Sequence, residues 1–230
     1  MAQRILVIDG SPAGDSACGT AACVVHAGDG LRVLALRQEA GKQAAEGVSL
    51  LAAEALQQAG WSRAQGTAPD LVAVVVGPGS FTGLRASCAA AAGYAVGMGC
   101  PVVGVTRAEA LAPELDAALV AAAGPLAGWL VVTAARRGRV FVEDKHAVRA
   151  VNIADWQAPQ EAWLVAGEAR TELPFPSAIM CQTSHPSVEQ IAAAALRRVR
   201  GELPARAALP VYVDPPEAKL PASGLRAAPV

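Results

Sequence analysis

The stretch LVAVVVGPGSFTGLRASCAAAAGYAVGMGCPVVGV, Leu71 to Val105, decides the fold. LVAVVV, 71–76, is an unbroken apolar run, as expected of a strand covered on both faces. GPGSFTG follows, with three glycines and a proline, then a helix of roughly four turns over 84–98, then a second short strand, PVVGV, 101–105. Strand, loop, helix and strand in that order make a right-handed crossover and so a parallel pair. Upstream, RILVID (4–9), AACVVHA (21–27) and LRVLALR (31–37) read as β-strands, and Gly28-Asp29-Gly30 supplies a tight hairpin between the last two. A helix from Lys42 to Ala59 carries Val48, Leu51 and Leu56 on one stripe and stops at Gly60. The expected fold class is α/β: an antiparallel hairpin joined to a parallel unit.

Beyond Thr106 the pattern predicts a helix at 107–122, strands at 129–133, 139–143, 147–151 and 163–167, and a helix at 187–200 capped by Ser184 or Ser187. The domain reading is an N-terminal lobe 1–105, a smaller C-terminal lobe 106–203, and a Pro-rich extended tail 204–230.

The chain has 230 residues, 53% of them hydrophobic and 17% charged, so it buries a substantial core. Lys+Arg 19 against Asp+Glu 20 provides no general attraction to phosphate backbones. The arginine groups at 136–139 and 197–200 are read as solvated structural residues. Five cysteines form no C-x-x-C pair, which points to free thiols in a reducing cytoplasm. The start, MAQRILVIDG, is too short an apolar run for a signal peptide. Uncharged stretches at 86–106 and 117–135 have bilayer length, but glycines, prolines and weakly apolar alanines mark them as buried helix and strand, so no membrane is expected.

A strand running through glycines into a helix is a workable anion cradle. Yet the loop Gly77, Pro78, Gly79, Ser80, Phe81, Thr82, Gly83, with Arg85 beyond it, fits neither the dinucleotide fingerprint nor a Walker loop. A structural turn and a phosphate site fit its spacing equally. Asp9, at the end of the first strand, is either a carboxylate for a phosphate loop or a turn former. The histidines form no H-x-x-x-H pair, so no helix-borne metal site is expected, and spacing places no catalytic Ser/His/Asp or Cys/His set. The helix after the loop repeats small residues: Gly83, Ser87, Ala91 and Ala95 on one row, Ala89, Gly93 and Gly97 on its neighbour. Such rows let a second backbone approach closely, either this chain's own sheet or a partner helix.

ILVIDGS at 5–11, the 71–105 stretch with GPGSFTGLR intact, ARRGRVF at 135–141 and PVYV at 210–213 resemble the TsaB (YeaZ) family of bacterial tRNA threonylcarbamoyladenosine biosynthesis proteins. The resemblance implies an actin-like, ribonuclease H-like fold of two lobes with related topology. It implies a non-catalytic scaffold subunit that pairs with the catalytic subunit TsaD, which transfers threonylcarbamoyl to the tRNA adenosine beside the anticodon. TsaE, an ATPase, completes the assembly, and tRNA is reached only through it. Alone, the chain is expected to form a homodimer. The face assigned to pairing is Gly83, Ser87, Ala91 and Ala95 with Val48, Leu51 and Leu56. No intrinsic cofactor is implied; ATP or ADP at the subunit junction would border the 77–85 loop, with Asp9 a vestigial phosphate-loop carboxylate. The chain departs from the family at Gly10, where threonine is common, and at Ala134 and Arg139, where carboxylates are common. The alternative is a nucleotide-dependent kinase-like or glycoprotease-like enzyme of the same superfamily.

Overall fold

The computed structural model describes residues 3–14, 17–28, 30–41, 43, 47–136 and 138–213. Asp29 of the hairpin, Lys42 and 44–46 of the expected helix, Arg137 and the tail from 214 lie outside the described residues.

The described residues form two five-stranded sheets. The first is built from β1 (Gln3–Asp9), β2 (Cys18–Ala27), β3 (Gly30–Ala40), β4 (Leu71–Gly77) and β5 (Val102–Thr106), in the order β3-β2-β1-β4-β5. The second contains β6 (Trp129–Ala134), β7 (Arg139–Glu143), β8 (Val148–Asn152), β9 (Trp163–Ala166) and β10 (Ala178–Met180), in the order β10-β9-β6-β7-β8. Read from the opposite edge, the second order repeats the first. In each sheet a central strand pairs antiparallel with its successor and parallel with the fourth strand. This is the actin-like arrangement of two related lobes.

Alternation along the central strands sorts side chains into two cores. In β1 and β4, Leu6, Ile8, Val72, Val74 and Val76 face α1 (Val48–Ala59) and α2 (Phe81–Met98). The residues between them, Ile5, Val7, Leu71, Ala73 and Val75, face α4 (Val188–Val199) through Val188, Ile191, Ala192 and Ala195. Both faces are therefore covered, which is why β4 could afford no polar residue. The helix numbered with the second lobe in the sequence thus packs on the first sheet. On the second sheet, Trp129 and Val131 pack under α3 (Arg107–Ala121), while Leu130 and Val132 form a separate core with Val140, Val142 and Leu173.

Local chemistry sets the helix ends. Ser80 Oγ accepts from Gly83 N, so α2 begins at Phe81, three residues before the expected start. Gly60 and Gly99 close α1 and α2 in the left-handed region. A reciprocal Ser187–Gln190 box caps α4, deciding between the two serines, and Thr106–Glu109 does the same for α3. Strand β10 was not expected: three residues, two of them exposed, leave no alternation to read. The segment after α4 hydrogen-bonds to the first lobe, with Gly104 N donating to Arg206 O and Val211 N to Val76 O.

Candidate functional site

The ends of β1 and β4 bring the two glycine-bearing loops together. Ser80 N donates to Ser11 O at 2.8 Å, and a Cβ placed on Gly79 would overlap that same carbonyl oxygen. Asp9 is buried, and its Oδ1 accepts from Ser11 N at 2.7 Å, so its observed contact is to its own turn. Gly77, Pro78 and Gly83 are enclosed, whereas Phe81, Thr82 and Arg85 face outward. The Arg85 guanidinium lies 3.9 Å over the Phe81 ring, and its Nε donates to Tyr212 Oη at 3.0 Å. Tyr212 in turn tilts against Phe81 with ring centroids 5.9 Å apart. Nothing in the loop's spacing predicts that a residue 127 positions from Arg85 completes its outer wall.

Where strands of both sheets end, the first turn of α3 gathers buried charges. Arg107 has no solvent exposure. Its Nη1 and Nη2 donate to Glu168 at 2.9 and 2.6 Å, and Nη2 also reaches Ser184 O at 3.2 Å and His185 Nδ1 at 2.7 Å. Guanidinium is donor only, so Nδ1 accepts and the imidazole is neutral there. Burial, then the Arg107 charge, hold His185 below its ordinary pKa, while Glu168 and Asp9 pull the other way. Glu143 Oε2 accepts from Ala108 N at 3.2 Å. Burial pushes the Glu143 carboxyl up to about 7 against the Thr106 and Ala108 hydrogen bonds, with Glu109 adding to the rise. For Glu109 itself burial works upward, but Arg198, Thr106 and Arg206 hold it below the usual carboxylate range. Arg198 is buried and also donates to Gly104 O, so one residue of the 197–200 cluster is an internal ion-pair partner rather than a solvated one.

The sequence pattern showed none of this network, since its members are far apart in the chain. The one available signal was Thr106-Arg107-Ala108-Glu109, a capping box that places an arginine at a strand's end.

The face assigned to pairing requires correction. Gly83, Ser87, Ala91 and Ala95 are buried against this chain's own sheet, as are Val48, Leu51 and Leu56. Their small size lets α2 sit close on β1 and β4. The neighbouring row is the one left outside: Ala89, Gly93 and Gly97 are exposed, together with Ala92 and Val96, the last at 81%. Because α2 is small on every face, the sequence offered no apolar stripe to tell the inner row from the outer. Tyr94 Oη donates to Ser49 O at 2.8 Å, tying α2 to α1, whose Leu50 is 64% exposed.

Among the described residues, no three His, Cys, Asp or Glu side chains are placed to hold a metal ion together, and no helix is long and apolar enough to cross a membrane. The five cysteines are free thiols; burial pushes Cys23 up to about 12 and Cys88 up to about 11.

The sequence model of the family described as TsaD, tRNA N6-adenosine threonylcarbamoyltransferase, matches residues 37–208. An uncharacterized protein of Mycobacterium tuberculosis is 37% identical over 161 residues, covering 66% of this chain and 69% of the relative. Among solved structures, YeaZ from Pseudomonas aeruginosa superposes with a TM-score of 0.64 at 22% identity, covering 91% of this chain and 99% of that one. A second structure, of a Pseudomonas aeruginosa protein described as similar to the peptidase YEAZ, has a TM-score of 0.63, 22% identity, and coverage of 92% and 100%. The fold expected from the YeaZ resemblance is the fold found.

Proposed function

This chain belongs to the TsaD family of tRNA N6-adenosine threonylcarbamoyltransferases, and we propose that within it the chain acts in tRNA modification as a non-catalytic subunit that pairs with TsaD. The observation that carries this reading is the outer surface of α2. Ala89, Ala92, Gly93, Val96 and Gly97 lie bare on one helix beside an exposed Leu50, the kind of apolar surface that another helix covers. Residues this small admit a partner backbone at short range. In this reading the Arg107–Glu168–His185 cluster is a structural joint between the two sheets, its side chains engaged with one another. In this reading TsaE and tRNA are met only through the assembly. A second copy takes TsaD's place when the chain is alone, and ATP or ADP at the junction would lie against Phe81 and Arg85.

The test mixes the purified chain with TsaD and follows complex formation by sedimentation, then threonylcarbamoylation of tRNA with TsaE and ATP present. Val96→Glu should fold normally and lose pairing and modification together. Ala91→Glu, by contrast, places a carboxylate in the core and should unfold the chain. A Val96→Glu chain that pairs as well as the original, or modification that proceeds without this chain, would overturn the reading.

A further inference from the structure

The second lobe holds three of the chain's four tryptophans, Trp129, Trp156 and Trp163, in a sequence that is only 4% aromatic. They surround two neighbouring cavities. The larger, of about 490 Å³, is lined by Trp156, Trp163, Leu130, Asp144, Asp155 and Arg149 among others. That volume is in the range of small-molecule sites. The smaller, about 270 Å³, shares Trp163 and Asp144 with it and is lined also by Trp129 and Lys145.

The smaller cavity shows what this kind of wall accepts. The Lys145 ammonium lies 6.0 Å over the Trp129 ring and 2.6 Å from Asp116 Oδ1, the oxygen that also accepts from Trp129 Nε1, so the cation meets an indole and a carboxylate together. The larger cavity repeats that chemistry with two indoles and two carboxylates. Among the described residues its only cation is Arg149, half exposed and 3.6 Å from Asp144. Two carboxylates against one guanidinium leave the lining with a charge of -1, which disfavours phosphates and other anions.

The walls are already in place. Trp156 Nε1 donates to Pro174 O at 2.9 Å, and its ring meets Phe175 edge-on at 5.4 Å. The Trp163 ring packs directly on Gly128, where even a Cβ would come within 3.0 Å. Asp155 is exposed, and Asn152 occupies one of its oxygens at 2.8 Å. A ligand entering here meets rings that need little further ordering.

We propose that the cavity between Trp156 and Trp163 is a binding site for an organic cation, an alkylammonium or guanidinium group, received on the indole faces and paired with Asp155. The group arrives either on a free polyamine or on a basic side chain of a polypeptide.

Titration of the full chain at fixed ionic strength tests this, with spermidine, with Nα-acetyl-lysine amide and with a short lysine-rich peptide as probes. Tryptophan fluorescence and calorimetry give the readouts, and adenosine monophosphate is the anionic planar control. The expected result is saturable binding of cations with a Kd of about 1 mM or tighter and none of the control. Asp155→Asn should weaken it by roughly 1.5- to 5-fold, the span of an exposed ion pair. Trp156→Phe should retain most of the affinity and Trp156→Leu should not. Asp155 lies outside the core, so its variant remains informative if a tryptophan variant fails to fold. Tighter binding of spermidine than of the peptide identifies a free polyamine, and the reverse order a polypeptide side chain. No saturable signal with any cation, equal affinity in Asp155→Asn, or equal binding of the nucleotide would overturn the proposal.

Discussion

Arg107 and Glu168, 61 residues apart, meet through two parallel hydrogen bonds of 2.9 and 2.6 Å where the end of β5 approaches the end of β9. The pair joins the two sheets. Neither charge can be removed singly without stranding its partner in a water-poor site, and such breaks cost about 3–5 kcal/mol. Arg107→Met alone should lose about that much stability in urea titration. The double variant Arg107→Met with Glu168→Leu should recover a large part of the loss, because no lone charge then stays buried. If single and double variants are equally unstable, the pair contributes mainly through shape.

Glu143 makes stability depend on pH in a specific sense. Its folded pKa is raised from 4.5 to about 7, so the folded state holds a proton that the unfolded chain releases earlier. The contribution is fully present below pH 4.5, declines as pH rises toward 7, and is lost above it. The size is on the order of 3 kcal/mol, at 1.36 kcal/mol per pH unit. Glu143→Gln keeps an acceptor for Ala108 N but carries no charge. Subtracting the stability of the wild type from that of the variant across pH 4–8 should therefore give a difference that grows with pH and levels off near 7. Other carboxylates and His185 act in both proteins and cancel. A difference curve flat over that range would contradict the assignment.

Two glycines in the same stretch should respond oppositely to alanine. Gly79 faces Ser11 O so closely that a Cβ must displace the backbone, and Gly79→Ala should cost roughly 3 kcal/mol or more. Gly93 lies mid-helix with open space where its Cβ would go. Gly93→Ala should stabilise the isolated chain by about 1 kcal/mol through helix propensity. Thermal melts of the two variants, side by side, check both signs.

How much was legible beforehand differs by element. The apolar run 71–76 disclosed a strand covered on both faces because no residue in it tolerates water. The hairpin, the crossover and the helix stop at Gly60 follow from local chemistry that acts within a few residues. The lobe repeat is harder to read: β10 is short and exposed, and the second lobe has no helix between β9 and β10 to mark the parallel step.

Apart from β10, sequence alone therefore determined the strand and helix order, and the central GPGSFTGLR stretch carried the family resemblance, since both depend on neighbouring residues. Only the tertiary structure decided which row of α2 faces its own sheet, that Arg107 finds Glu168, and that Tyr212 completes the wall beside Phe81. Those outcomes depend on surfaces contributed by distant segments. A helix of alanine and glycine has no stripe strong enough to announce its inner side, and a buried arginine looks like any other until its carboxylate arrives.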